Sequence, residues 1–324
     1  MASITQTQRS PASITLDRRK LLKSKMTLVR INWELYVLII APVVWLVIFR
    51  YIPLAGNVIA FKDYVPLQGV WGSEWVGFEN IARFINSYNF GRIMWNTIFL
   101  NLYQVLAGFP VPILLALLIH YCPLFRYKKT VQMITYAPHF ISTVVIVGIL
   151  FKLLATRIGL VNIALEGLGF EQVDFLGRAD MFRDVFVLSG VWQHMGWSSI
   201  IYLAALAGID PNLHQAARVD GASIWRRIWH IDLPGIGPTI MVLLILRMGQ
   251  MFRVGFEKVL LMQNSLNIDS SEVVQTFVYK VGLTSSNPDF AYAAAIGFFN
   301  NFLSFVLVVT VNRVAKRFGE TSLW

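Results

Sequence analysis

Cysteine and charged side chains are both scarce in this sequence. The single cysteine, Cys122, excludes an internal disulfide and any metal site built from several thiolates. Only 14% of the 324 residues are charged, whereas 56% are hydrophobic, and a soluble domain carries roughly 25% charged residues. This shortage of charge excludes a soluble enzyme and predicts a chain that crosses a membrane.

Catalytic and nucleotide-binding motifs are also missing. The sequence has no G-x-x-x-x-G-K-[ST] phosphate loop and no G-x-S-x-G nucleophile turn, so no catalytic residue is assigned. Any ATP hydrolysis that drives this protein therefore takes place on another chain. The five histidines lack the spacing of a zinc motif, and no metal site is predicted. His139 and His194 are interpreted as packing or interface residues.

Six stretches are long and apolar enough to cross a bilayer core of ~30 Å, which takes about 20 helical residues. They lie near 35–52, 94–119, 131–151, 185–208, 236–254 and 291–312. The predicted fold class is therefore all-α, a polytopic membrane bundle of six transmembrane helices. Pro110, Pro112 and Pro138 fall inside these stretches, where kinks are expected because neighbouring helices satisfy the freed carbonyls.

Lys and Arg are concentrated in alternate connections between the spans. Sixteen lie in the N-terminal segment, after spans two and four and in the C-terminal tail, against seven in the other connections. The positive-inside rule therefore predicts that both termini and the 209–235 loop face the cytoplasm. The net charge of +10 reflects this topology rather than nucleic-acid binding. Residues 14–31 are compatible with an interfacial helix or with a solvated basic tail.

The 209–235 loop carries the most specific pattern in the chain. Asp210 is suited to cap a helix that has Pro211 in its first turn. That helix is predicted to end at Gly221, because a glycine readily takes the left-handed conformation common at helix ends.

Ser223 is predicted to cap a second short helix in the same loop, and Pro234 to end it before the fifth span. The apolar face of this helix would be formed by Ile224, Trp225, Ile228 and Trp229. Two short helices suit a DNA-reading unit, an interfacial hairpin or a docking element for a cytoplasmic protein. A loop tethered to membrane spans at both ends does not easily enter a major groove, so DNA reading is not favoured.

The loop resembles the signature of a known family. Gln215-Ala-Ala, Gly221 and Ile231-x-Leu-Pro234 are similar in spacing to the EAA-x3-G-x9-I-x-L-P signature of permeases of binding-protein-dependent ATP-binding-cassette importers. Gln215 replaces the glutamate of the signature, which keeps a hydrogen bond and removes a charge. Further segments resemble the polysaccharide and oligosaccharide branch of this family, namely 51–53, 60–64, 254–259 and 317–324.

The resemblance implies the type I importer permease architecture and a division of the chain. A basic cytoplasmic segment, 1–34, precedes the first transmembrane helix and outer loop, 35–93. The permease core, 92–314, includes the 209–235 loop, and a cytoplasmic tail, 315–324, follows it. The expected location is the cell inner membrane, with multiple passes through the lipid bilayer.

The resemblance also implies partners. The chain would form half of a translocation pathway for oligosaccharides, acidic ones such as alginate among them, together with a second homologous permease. Two ATPase subunits, which bind ATP and Mg, and an extracytoplasmic solute-binding protein would complete the complex, so this chain is expected to bind no cofactor and not to be an enzyme. Coupling to the ATPases is expected from Gln215, Ala216, Ala217, Asp220, Gly221, Ile231, Leu233 and Pro234.

Polar residues in and after span five are the candidates for the substrate pathway. Arg247 and Gln250 are three residues apart and would face one side, which suits hydrogen bonds to a polar or anionic sugar. Arg253 and Glu257 would pair if the helix continues past Gly255; otherwise they lie at the outer interface.

Two other function classes remain as alternatives. An ion-coupled secondary transporter would need buried acidic relays, and Glu257 is the only intramembrane carboxylate available. A membrane-embedded enzyme would need a catalytic constellation that the sequence does not offer. The ATP-driven importer is therefore the leading interpretation.

Overall fold

Helices form most of the described part of the chain. The computed structural model describes residue 27 and residues 30–317, and the strands of this part are limited to one two-stranded pair. The predicted helical fold class is confirmed. Two compact units are present, Met1–Val58 and Ile59–Trp324. Most of the stretch 14–31 and residues 318–324 of the tail lie outside the described residues.

The first unit contains the first predicted span. Its helices are α1, Trp33–Leu46, and α2, Ile52–Ala55, joined by the π turn Val47–Tyr51 and followed by the 3-10 turn Gly56–Phe61. None of the side chains of α1 is buried, and the helix is apolar all round. A helix of this kind is stable in contact with lipid or with another protein.

The second unit contains the other helices and the strands. Its α-helices are α3 Gly69–Gly72, α4 Glu79–Ile85, α5 Phe90–Gly108, α6 Pro110–Tyr121, α7 Phe125–Tyr136, α8 Thr143–Leu154, α9 Leu160–Gly167, α10 Ala179–Ala207, α11 Pro211–Val219, α12 Ile224–Arg227, α13 Leu233–Met248, α14 Phe256–Met262, α15 Ile268–Ser271, α16 Val274–Tyr279 and α17 Phe290–Arg317. A 3-10 turn lies at Ala137–Phe140, and π turns lie at Ile228–Asp232 and Lys280–Thr284. Strands β1, Lys62–Asp63, and β2, Glu74–Trp75, pair antiparallel with Lys62 opposite Trp75.

The segment that precedes α5 is packed against the C-terminal helix. Phe61 meets Phe298 of α17 edge-on, with ring centroids 5.2 Å apart. The Asn80 side-chain amide donates to the Ala60 carbonyl at 3.2 Å. Phe84 is fully buried in an aromatic cluster that includes residues of α16 and α17. Residues 59–91 therefore belong to the same packed unit as the helices that follow.

Among the described residues, four helices are long and apolar enough to span a membrane. They are Trp33–Phe61, Phe90–Tyr121, Ile224–Met248 and Phe290–Val314, and the bent pair Phe125–Phe140 with Thr143–Leu154 would make a fifth. The predicted fourth span corresponds to α10, whose apolar run is interrupted by Gln193 and His194. Six spans therefore remain a prediction.

The predicted third span, 131–151, is broken rather than continuous. The chain bends by 104° between α7 and α8. Pro138 lies in the 3-10 turn between the two helices, and Ser142 caps the second, since its Oγ accepts from the Val145 N–H at 3.4 Å. A kink at Pro138 was expected from its missing N–H, and the structure adds a change of direction.

Gly196 lets α10 cross α7 at very short range. A Cβ atom at this position would overlap the carbonyl group of Thr135 in α7. Backbone atoms of a helix do not move aside as a flexible side chain does, so this crossing requires a glycine.

We expect Gly196→Ala to lower the melting temperature of the purified protein, because the added methyl group forces the two helices apart at a cost of about 1–3 kcal/mol. The matched control is Gly148→Ala in α8, where a Cβ meets nothing within 4 Å. The control should be neutral or slightly stabilising, since alanine favours helix. Equal melting temperatures for the two variants would show that the crossing tolerates a side chain. Thermal unfolding followed by intrinsic fluorescence measures both.

Candidate functional site: the 209–235 loop and a helix-lined cavity

The 209–235 loop begins with a capped helix. Asp210 Oδ1 accepts a hydrogen bond from the backbone N–H of Asn212 at 3.0 Å. Pro211 occupies the first turn of α11, where its missing N–H leaves no intrahelical bond unmade. The first helix of the loop is therefore formed as the sequence predicts.

The helix ends in a Schellman motif at Gly221. This glycine has the predicted left-handed conformation, with φ of 71°. Its N–H donates to the Arg218 carbonyl at 3.1 Å, and the Ala222 N–H donates to the Ala217 carbonyl at 2.8 Å. These two bonds satisfy carbonyls that the helix end leaves free. A Cβ at position 221 would meet no atom within 4 Å, so backbone conformation rather than space restricts this site.

Ser223 begins the second helix as predicted, but Pro234 does not end it. The helix α12 passes through the π turn Ile228–Asp232 directly into α13. The π turn widens the backbone where a proline ring would otherwise press on the carbonyl four residues earlier. The predicted break at Pro234 is therefore wrong, and the second half of the loop is the start of a long helix that runs to Met248.

Buried polar groups fix the start of this long helix. Asp232 is fully buried, and its Oδ2 accepts a hydrogen bond from the Tyr121 hydroxyl at 2.5 Å. The Arg227 guanidinium lies over the Tyr121 ring, 5.4 Å from its centroid. Ile228 packs against the cluster that contains Leu206. The loop is thereby held to the ends of α6 and α10.

Most of the predicted coupling residues lie at the surface of the chain. The exposed ones are Gln215, Ala216, Asp220, Gly221 and Pro234, while Ala217, Ile231 and Leu233 are half-buried. Apolar side chains beside them are also exposed, namely Leu213, Val219, Ile224, Trp225 and Trp229. The residues of the predicted apolar face of the second helix do not share one environment. Ile228 packs into the core, whereas Trp225 and Trp229 are exposed. The loop thus presents an apolar surface suited to a protein partner.

A cavity of about 660 Å³ lies between α5, α6, α10 and α13. Its volume is within the range of roughly 300–1,000 Å³ that is typical of small-ligand sites. Apolar side chains such as Phe109 and Leu243 form much of the wall, and a few polar groups are placed among them.

Arg247 of α13 lines this cavity. The ion pairs formed by the described residues do not include Arg247. The described residues that line the cavity also include no aspartate or glutamate. The guanidinium charge is therefore available to an anionic ligand.

Aromatic rings form another part of the wall. His139 stacks on Trp197, with ring centroids 4.6 Å apart and planes 1° apart. The Nδ1 atoms of His139 and His194 are 3.3 Å apart, which is within hydrogen-bond distance. The two histidines contact each other, as packing residues do, and both also face the cavity.

The other predicted pathway residues lie away from the cavity. The helix α13 ends at Met248, and irregular chain runs from there to Gly255. Gln250, Arg253 and Glu257 do not line the cavity. Because the helix stops, Arg253 and Glu257 lie on separate segments, and the described ion pairs do not join them. The predicted span 236–254 was therefore too long at its C-terminal end, because the helix stops at Met248.

Sequence reasoning missed most of the polar wall. Gln104, His139, His194 and Trp197 all line the cavity. A signal existed for α10, because His194, Trp197 and Ile201 recur every three or four residues and so share one helix face. No sequence pattern indicated that His139, 55 residues from His194, meets that face.

A family model and curated relatives match most of this chain. The model for binding-protein-dependent transport system inner membrane components matches residues 81–319. Protein LplB of Bacillus subtilis strain 168 is 41% identical over 295 residues, which cover 91% of this chain and 92% of LplB. The polygalacturonan/rhamnogalacturonan transport system permease protein YteP of the same organism is 40% identical over 304 residues, covering 93% of this chain and 94% of YteP.

Two solved structures contain chains of the same fold. One is a crystal structure of a bacterial ABC transporter involved in the import of the acidic polysaccharide alginate. Its chain has a TM-score of 0.83 and 36% identity, over 92% of this chain and 99% of that chain. The other is a bacterial alginate ABC transporter in complex with an alginate pentasaccharide-bound periplasmic protein, with a TM-score of 0.84 and 36% identity, over 91% and 98% of the two chains.

Proposed function

The chain belongs to the family of inner membrane components of binding-protein-dependent transport systems, and we propose that it forms half of the translocation pathway of an ATP-driven importer of acidic oligosaccharides. The cavity between α5, α6, α10 and α13 is part of that pathway. The charge of Arg247 carries the proposal, because an arginine within an apolar helix of membrane-spanning length is expensive and marks function.

The single observation that favours an acidic sugar is Arg247. Arg247 lines the cavity, and its guanidinium has no ion-pair partner among the described residues. A uronic acid carboxylate would form a charge-assisted, bidentate hydrogen bond with this group. The names of a polygalacturonan/rhamnogalacturonan permease and of an alginate importer among the similar proteins support the same substrate class.

The aromatic side chains of the cavity wall suit the sugar rings of such a substrate. The flat surfaces of Trp197 and Phe109 suit the apolar face of a pyranose ring. His139 and His194 contact each other through their Nδ1 atoms, which leaves the two Nε2 atoms for hydrogen bonds to sugar hydroxyls. Ring stacking and the charge of Arg247 together would bind a chain of uronic acids during its passage through the cavity.

Coupling requires other subunits. In the proposed complex the 209–235 loop and both termini face the cytoplasm, as the Lys and Arg distribution predicts. Two ATPase subunits that bind ATP and Mg dock on this loop and on its counterpart in a second, homologous permease. An extracytoplasmic binding protein delivers the sugar. A solved alginate transporter with a substrate-bound periplasmic protein supports this arrangement.

Reconstitution of the complete complex in liposomes tests the function. ATP-dependent uptake of uronic acid oligosaccharides should exceed that of neutral oligosaccharides of equal length, and it should require the binding protein. Uptake driven by an ion gradient without ATP would overturn the proposal. The ion-coupled alternative is not favoured, because the family of this chain is that of binding-protein-dependent transporters.

The exposed tryptophans of the loop provide a test of docking. Trp225 and Trp229 are 73% and 66% exposed, and tryptophan is enriched among the interface hot spots whose truncation costs about 2 kcal/mol or more. We expect the double variant Trp225→Gln, Trp229→Gln to lose copurification of the ATPase subunits, with the permease itself still inserted. Pull-down from detergent extracts measures this.

The control for docking is Trp71→Gln, since Trp71 is 90% exposed but lies in α3, outside the 209–235 loop. It should leave copurification unchanged. Full ATPase recovery with the double variant would contradict a docking role for these side chains.

A further inference from the structure

Three side chains able to bind a metal meet at one end of the helices. His120 is the penultimate residue of α6, His214 lies in α11, and Asp232 ends the π turn before α13. One donor atom of each lies within 4.8 Å of the other two. Sequence spacing gave no sign of this cluster, because its members come from three separate elements.

The hydrogen bonding of the cluster is incomplete. Asp232 has no solvent exposure, and its Oδ2 is bound by the Tyr121 hydroxyl. Its other oxygen, Oδ1, lies 3.2 Å from His214 Nε2. The two atoms are close enough to form an ion pair, but the geometry of the contact is not that of a hydrogen bond, so both are buried without one. A buried carboxylate oxygen without a hydrogen bond is costly and rare, so this arrangement suits a directly bound ligand.

The charge of Asp232 is also not neutralised by a neighbouring arginine. Arg227 is buried nearby, but its guanidinium lies over the Tyr121 ring. In the described part of the chain, the ion pairs of Asp232 include only His214. A negative carboxylate between two imidazoles therefore remains open to a cation.

We propose that His120, His214 and Asp232 bind a divalent transition-metal ion of the zinc class. Two imidazole nitrogens and one carboxylate oxygen are a donor set that zinc prefers, with water in the fourth position of a tetrahedron. Magnesium and calcium favour oxygen donors and do not suit this set. The Tyr121 hydroxyl holds the carboxylate in place, as outer groups of metal sites do.

The bound ion would connect the loop to two membrane helices. It would join α11 to the end of α6 and to the start of α13 through three direct bonds. The first helix of the 209–235 loop would then be less free to move relative to both. This site is independent of the proposed substrate, since it lies outside the cavity.

Zinc titration of the purified full-length chain in its complex tests the proposal. After removal of metal, wild type should bind one additional Zn²⁺ per copy of this chain compared with the variants His120→Gln and His214→Gln. Loss of an outer partner typically weakens metal binding 10–100-fold, so loss of a direct ligand should weaken it by at least about 100-fold. The matched control is His230→Gln, an exposed residue of the same π turn outside the cluster, which should bind zinc as wild type does.

Two further measurements do not depend on the folding of a variant. Co²⁺ added to wild type should produce the visible absorption bands of a tetrahedral nitrogen and oxygen site. Zn²⁺ should slow hydrogen exchange of the backbone amides in 211–219 in wild type and in His230→Gln. Equal zinc affinity in wild type and both ligand variants would overturn the proposal, and so would unchanged exchange of 211–219 on saturation of wild type with zinc.

Discussion

Replacing Arg247 by methionine is expected to reduce ATP-driven uptake of an acidic oligosaccharide by roughly tenfold to a hundredfold. Hydrogen bonds to a charged group contribute about 1.5–3 kcal/mol, and Arg247 is the cationic group of the cavity wall that lacks an ion-pair partner among the described residues. Methionine keeps much of the side-chain length and removes the charge. Uptake of labelled uronic acid oligosaccharide into proteoliposomes measures the effect.

Arg253→Met is the matched control for this substitution. Arg253 is exposed and does not line the cavity, so its replacement should leave uptake near the wild-type value. Arg247→Lys should recover part of the activity, because it restores the charge without the planar, bidentate geometry. Complex assembly and basal ATP hydrolysis should be normal in all three variants. If most of the Arg247→Met variant fails to assemble, but the assembled complexes take up sugar normally, Arg247 serves packing rather than substrate binding.

Gly221→Val is expected to separate ATP hydrolysis from transport, or to weaken docking of the ATPase subunits. The glycine has φ of 71°, a conformation that costs a residue with a Cβ about 1–2 kcal/mol. A β-branched side chain is a particularly poor fit there. The strain would favour a different angle between α11 and α12, the two helices of the loop on which the ATPase subunits are proposed to dock. Insertion of the spans should be normal, since it depends on their hydrophobicity.

The decisive comparison is with Gly221→Asn. Asparagine tolerates the left-handed conformation, and a side chain at this position meets no atom within 4 Å. Asn should therefore preserve copurification, hydrolysis and uptake, whereas Val should not. If Val and Asn behave alike and both are normal, the angle of this turn is not important for coupling. If both are equally defective, the cause is the added side chain at a contact surface rather than the backbone.

The short loop helix was predictable because its signals are local. Asp210 and the Gly221 turn act through hydrogen bonds that span at most five positions, and Pro211 acts through its own fixed backbone angle. Caps and glycine ends of this kind depend on the chain nearby and little on tertiary contacts. Pro234 misled the prediction, because a π turn is an alternative backbone that accommodates a proline without ending the helix.

The pathway was harder to predict, since a cavity is defined by several elements at once. Arg247 was predicted from its charge inside an apolar run, and this inference does not depend on which other residues lie near it. Gln250, Arg253 and Glu257 were included by assuming a helix that continues, but α13 ends at Met248. His139 lies just before the 104° bend and contacts His194, which is 55 residues away on α10, so no local pattern indicates their contact.

The sequence alone determined the helical class, the apolar stretches and the conformation of the 209–235 loop up to Gly221. Hydrophobic runs, caps and glycine ends are properties of neighbouring residues, and their energetics are largely set before the helices meet. Only the tertiary structure decided which polar side chains face the cavity and that His120, His214 and Asp232 lie together. These juxtapositions depend on where helices cross and bend, and the close approach of α10 to α7 at Gly196 is one such crossing. Such contacts join residues that are far apart in the chain, so no local sequence pattern predicts them.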